Sequence, residues 1–181
     1  MARFGTISSL LLILIAVPFF AAPALAAELP ARKAGLWEME TTLPNPKTPK
    51  QVIRQCVDAA TDQMMQSRAQ SMGPSRECAK RDLQKSAGSI TIDSTCTVGG
   101  KTRTSHVVIT GSFDSSYTMT VTSQSEGAPE AKTITIAAKW IGPCAADQKP
   151  GDMIMANGMK MNIIDMQKMG VPGAPGMRPQ Q

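Results

Sequence analysis

Close cysteine pairs, histidine and aromatic residues are all scarce in this chain of 181 residues. Its four cysteines never occur as C-x-x-C. That excludes the usual structural zinc site, in which one tight turn presents two sulfurs, and the dithiol motif of redox enzymes. No nucleophile elbow, phosphate-cradling glycine loop, H-E-x-x-H or calcium-binding aspartate pattern is present. The chain is therefore expected to be non-enzymatic and to need no cofactor. Aromatic residues make up 4% of the sequence. The small basic clusters Lys80-Arg81 and Lys101-Thr102-Arg103 lack the interleaved aromatics of a single-strand nucleic-acid platform, so no nucleic-acid partner is expected. Beyond residue 26 only Trp37, Phe113, Tyr117 and Trp140 remain, and the core must rest on Ile, Val, Leu and Met.

The amino terminus carries a long apolar run. Arg3 forms a short positive region, Leu10 to Phe20 is unbroken hydrophobic sequence, and Ala24-Leu25-Ala26 supplies a small-x-small cleavage site. Leu10 to Ala27 is about as long as the shortest spanning helices, but Pro18 and Pro23 interrupt it. Residues 1–26 are expected to be a cleaved signal peptide, which leaves no transmembrane segment. No cysteine stands directly after the cleavage site, so the thiol that a bacterial lipoprotein acylates is missing. A periplasmic or secreted protein is expected, with one domain over residues 27–169 and a proline-rich, disordered tail over 170–181. The net charge of +5 is read first as a solvated basic surface, with attraction to anionic lipid head groups or cell-wall polymers as the alternative.

Residues 35–41 alternate as a strand with Trp37, Met39 and Thr41 on one face. Prolines 44, 46 and 49 break it, and Gln51 to Val57 reads as a second strand. Asp58 or Thr61 can cap a following helix whose apolar stripe is Met65, Ala69 and Met72 and which Gly73-Pro74 stops. From Cys78 to Ile141 the period is two. Ile90, Ile92, Cys96 and Val98 share a face, as do Val107, Ile109 and Phe113. Tyr117, Met119 and Val121 follow, and then Ile134, Ile136, Ala138 and Trp140. Short breaks at 87–88, 99–100, 114–115 and 126–129 have hairpin composition. Asn157-Gly158 predicts a further small hairpin, and residues 162–169 a short helix. The fold class is α+β, mainly β: a curved antiparallel meander with one amphipathic helix and two disulfides. One face of such a sheet is free to hold the helix or an apolar ligand.

Four cysteines allow three connectivities, and spacing alone does not choose among them. A hairpin centred on Ala87 places Cys78 opposite Cys96, within disulfide reach. Against this, Cys78 shares its face with Lys80 and Asp82, whereas Cys96 shares its face with Ile90 and Ile92. A bulge in one strand would reconcile the two patterns. Cys56 and Cys144 would then pair, closing a long loop worth roughly 4 kcal/mol in the chain-entropy model.

Candidate chemistry is sparse. His106 shares a strand face with Val108 and Thr110, and Asp62, Asp93, Asp114 and Glu126 are scattered among turns and polar faces. A hydrolytic enzyme without recognisable motif would have to assemble its site from these. Methionines crowd the last thirty residues. Met153, Met155, Met159 and Met161 would project thioethers in pairs, a soft donor set suited to Cu(I) or an adaptable apolar packing surface.

Gly35-Leu36-Trp37-Glu38, Gln55-Cys56-Val57, the three later cysteines and Lys139-Trp140-Ile141-Gly142-Pro143-Cys144 together resemble an exported bacterial family. That family is catalogued as domain of unknown function 3617, and the likeness spans roughly residues 33–165. The resemblance implies a secreted, cysteine-containing α+β or mainly β domain and brings no catalytic residues with it. The function expected is that of a periplasmic binding or envelope-associated protein, holding a lipid-like ligand or an envelope protein partner.

Overall fold

The computed structural model describes residues 29–71 and 77–169. The expected signal segment, Met72 with the expected Gly73-Pro74 stop, and the expected tail lie outside the described residues. Strands β1 (Gly35–Thr42) and β2 (Gln51–Val57) precede helix α1 (Ala59–Ser71). The meander follows as β3 (Glu77–Ser86), β4 (Ser89–Val98), β5 (Lys101–Ser112), β6 (Ser116–Ser125) and β7 (Lys132–Gly142). A small hairpin, β8 (Asp152–Ile154) and β9 (Lys160–Asn162), leads into α2 (Ile163–Lys168).

The nine strands of the described residues join one sheet in the order β3-β4-β5-β6-β7-β1-β2-β8-β9. Every neighbouring pair is antiparallel. The meander follows from alternating Val, Ile and Thr separated by tight turns, because consecutive strands then pair with little loop entropy to lose. The crossover is where β1 docks on β7, with Trp37 opposite Trp140 and Met39 opposite Ala138. The sheet is open and curled. Gly111 turns within β5 at a φ of +107°, and a Cβ there would sit 2.5 Å from the Ser116 carbonyl oxygen. Only glycine fits that bend.

The core lies on the concave face. Trp37, Val57 and Ile109 are fully buried there, and Ile90, Ile92, Tyr117 and Ala138 pack with them. Helix α1 begins at a reciprocal cap: the Thr61 N–H donates to Asp58 Oδ1 (2.8 Å), and the Asp58 N–H donates to Thr61 Oγ1 (3.0 Å). The Thr61 backbone N–H, aided by its hydroxyl, holds the Asp58 carboxyl below its ordinary value. Met65 of the expected apolar stripe is buried, but its buried companions in the first turn are Thr61 and Asp62. The helix is thus seated by polar contacts as much as by apolar ones.

Disulfides join Cys56 to Cys144 and Cys78 to Cys96. The face conflict around Cys78 has a local solution. The turn at Ala87-Gly88 is a two-residue turn, so Ser86 pairs with Ser89 and Lys80 with Thr95. A bulge between Cys78 and Lys80 then shifts the register by one and sets Cys78 opposite Cys96. Beyond the bulge it is Arg81 and Leu83, not Lys80 and Asp82, that share the inner face.

The β8–β9 hairpin is tied to α2 through Asp152, which is 2% exposed. Burial raises its pKa. Hydrogen bonds from Asn162 Nδ2, the Lys149 N–H and Lys160 outweigh that and hold the carboxyl below its ordinary value of 3.8. Asn162 also caps α2 by accepting from the Ile164 N–H at 2.9 Å. Because the folded pKa is depressed, Asp152 contributes stability above the unfolded value, and that contribution is lost as the pH falls through the folded one. Asp152→Asn is expected to cost about 1–3 kcal/mol at neutral pH and to flatten the acid limb. Urea midpoints of both proteins between pH 7 and pH 3 would show it.

Candidate functional site

The curl leaves a hollow on the concave face, between the inner surface of β3–β6 and the amino-terminal segment with α1. Its volume is about 400 Å³, within the range of small-molecule sites. Its apolar part is built from Met39, Ile92, Val107, Met119 and Val121, with Leu29 and Met65 across from them. The sequence assigns the five sheet positions by alternation alone: each is the inward residue of its strand. The free sheet face therefore holds both the helix and a cavity.

The scarce aromatics gather at one end. Phe113 stacks on Tyr117 with ring centroids 4.7 Å apart, and Tyr117 lies 5.7 Å from Trp37. The Lys33 N–H donates to the Phe113 carbonyl, and Trp37 Nε1 donates to the Lys33 carbonyl. These bonds draw the amino-terminal segment across the sheet.

Beneath that segment lies a buried ion pair. Arg32 Nε donates to Asp62 Oδ1 at 2.6 Å and the Arg32 N–H to Oδ2 at 2.8 Å; the two side chains are 5% and 0% exposed. Gln66 Nε2 adds a third donor to the Asp62 carboxylate, at 2.8 Å. The guanidinium also lies 5.8 Å from the Trp37 ring centroid and contacts the sulfurs of Met39 and Met65. Burial pushes the Tyr117 hydroxyl above its ordinary value of 10.0, although Arg32 nearby acts the other way. Sequence reading passed over this centre because Arg32 and Asp62 sit thirty residues apart with no spacing motif between them.

The cavity carries a few polar groups. Arg32, Arg81 and Arg103 line it together with Gln55, Ser94 and Ser105, and no Asp or Glu is among its described lining residues. Arg103 donates to Ser123 Oγ at 3.0 Å. Gln55 Oε1 is buried and has no hydrogen-bond partner among the described residues.

The scattered candidates are not brought together. His106 lies opposite Asp93 on the outer face, Nδ1 to Oδ1 2.7 Å, with both side chains about half exposed. Asp62 belongs to the ion pair, Glu126 accepts from the Thr102 N–H, and the Asp114 N–H is bound by Ser112 in a turn. Among the described residues no group of three or more His, Cys, Asp or Glu could hold a metal. Met153 and Met161 are cross-strand partners packed on the core. The Met155 N–H donates to the Met159 carbonyl, and the Met159 side chain is 51% exposed.

The motif residues of the amino-terminal and Trp140 stretches form a structural seam. Gly35, at a φ of +132°, sits so close to Trp140 and Gly142 that a Cβ would lie 2.5 Å from the indole nitrogen and from the Gly142 oxygen. Trp140 Nε1 donates to the Ala34 carbonyl, and Lys33 lies 3.7 Å over the indole ring. Cys56–Cys144 closes this seam from β2 to the end of β7. These residues build the junction of β2, β1 and β7. A search of curated proteins and one of solved structures returned no match. A family model matches residues 32–144, from the buried arginine through β7 to the last cysteine, and stops short of the β8–β9 hairpin that the motif likeness had included. The chain therefore belongs to the family described as Protein of unknown function (DUF3617).

Proposed function

We propose that this is an exported, non-enzymatic binding protein that holds a small apolar ligand in the concave cavity. The observation that carries the reading is the mainly apolar hollow of about 400 Å³ walled by inward residues of β4, β5 and β6. Two disulfides and the absence of free cysteine among the described residues suit an oxidising compartment. No described helix is long and apolar enough to cross a membrane. With the signal sequence expected over residues 1–26, the periplasm or the outside medium is the proposed location.

The test is a titration with the neutral fluorophore N-phenylnaphthylamine. The native protein is expected to bind it saturably at one site. Val121→Trp, which fills the cavity from β6, is expected to weaken binding more than ~10-fold, about 1.4 kcal/mol or more. Thr118→Trp places the same bulk on the exposed face of the same strand and is expected to leave binding unchanged. Absence of saturable binding to the native protein would end this reading.

A further inference from the structure

We infer that the ligand is a neutral apolar molecule bearing a hydroxyl group, an aliphatic alcohol or a phenol, whose O–H donates to Gln55 Oε1 in the cavity wall. This rests on the binding reading above and adds the chemistry of the polar group and the residue that selects it. Gln55 lines the cavity, and its Oε1 is buried with no hydrogen-bond partner among the described residues. Buried side-chain oxygens are almost always bonded, because an orphaned acceptor loses its hydration and gains nothing in return. A group that donates from inside the cavity removes that penalty. The position is also an unusual one for glutamine. Cross-strand partners run Trp37, Gln55, Met153 and Met161 across β1, β2, β8 and β9, and the other three pack in or on the apolar core. Along β2 the same face carries Ile53 and Val57. A Leu or Met in place of Gln55 would pack there without leaving an oxygen unpaired.

The surroundings decide what the oxygen accepts. Its backbone is firmly held, since the next residue, Cys56, is bonded to Cys144 and its carbonyl accepts from the Gly151 N–H. The acceptor is thus presented from a fixed frame. No Asp or Glu is among the described lining residues, so an ammonium head would enter without a counter-charge. Arg32, 5.8 Å from the ring centroid of Trp37, is neutralised by Asp62. A carboxylate would set its own oxygens against Oε1, acceptor against acceptor. A neutral donor remains, and a hydroxyl is the smallest that an otherwise hydrocarbon molecule can carry. The rest of the molecule then lies against Met39, Val107, Met119 and Val121, which ask only for apolar surface.

The experiment uses decanol and its isomer methyl nonyl ether, with decanoate beside them, as competitors of N-phenylnaphthylamine on the purified, disulfide-bonded protein. The isomers contain the same atoms, and only the alcohol has a proton to give to Gln55 Oε1. Decanol is expected to bind at least ~10-fold tighter than the ether, and also tighter than decanoate. Gln55→Met, which keeps the length of the side chain and removes its oxygen, is expected to bring the two isomers to equal affinity. Its affinity for the ether should stay that of the native protein, which also shows that it has folded. Equal binding of alcohol and ether to the native protein would overturn the inference, whatever the variant does, and leave the cavity reading standing. So would tighter binding of decanoate, an unchanged preference in Gln55→Met, or bound fluorophore that neither isomer displaces. Failure of the fluorophore itself to bind would remove both readings.

Discussion

Asp62→Ala is expected to destabilise the protein by about 3–5 kcal/mol, a large part of the stability of a domain this size. The side chain is fully buried and accepts from the Arg32 backbone N–H, the Arg32 guanidinium and Gln66. Its removal leaves the guanidinium uncompensated under the amino-terminal segment, away from water. The cost is that of an orphaned charge, so removing both partners should be far milder. Arg32→Met with Asp62→Leu is expected to recover most of the loss, because Met39 and Met65 already surround the guanidinium with thioethers. Guanidinium-chloride unfolding of the native protein, the single variant and the double variant measures all three. A loss below 1 kcal/mol in Asp62→Ala would mean that water reaches the pair.

Opening the Cys56–Cys144 bridge is the second large effect. The cysteines are 88 residues apart in sequence, and the chain-entropy model gives such a loop about 4–5 kcal/mol. The Cys78–Cys96 bridge spans a separation of only 18 residues, and its loop is worth about 3 kcal/mol. Cys56→Ala with Cys144→Ala is therefore expected to lower the unfolding midpoint more than Cys78→Ala with Cys96→Ala. Topology adds to the difference. The long bridge ties β2 to the chain leaving β7, and the Gly151 N–H then bonds the Cys56 carbonyl, where the hairpin docks. The short one links neighbours already held by the ladder. Denaturant unfolding of the two paired variants, without reductant, gives the order; a larger loss in the short-loop variant would contradict it.

Both predictions concern how a mainly apolar cavity is framed. The ion pair fixes the segment that closes one side of the hollow, and the long bridge fixes the seam opposite. Motif residues such as Gly35, Trp140 and Cys144 lie in that seam. Their conspicuous sequence pattern reports a sheet junction, whereas the proposed ligand wall on β3–β6 is written in ordinary alternating strand residues.

Alternation made the meander legible. Side chains two apart must share a face, so Ile90, Ile92, Val107, Met119 and Val121 declare their direction before any fold is known. Asn157-Gly158 announced the last hairpin for the same local reason, since its backbone preference matches a tight turn. Cys78 shows where local rules stop. Its face depends on a one-residue bulge, and nothing in Cys78-Ala79-Lys80 requires one; the partner strand and the disulfide impose it.

The sequence by itself determined the strands, their inward faces and the hairpin turns, all of which depend on residues near one another in the chain. Tertiary structure alone decided that β1 would sit on β7, that Arg32 would find Asp62, and that Arg81 and Arg103 would line one hollow. These are long-range pairings, fixed by the curl of the whole sheet and by the need to bury charge only in company. No period or spacing along the chain encodes either.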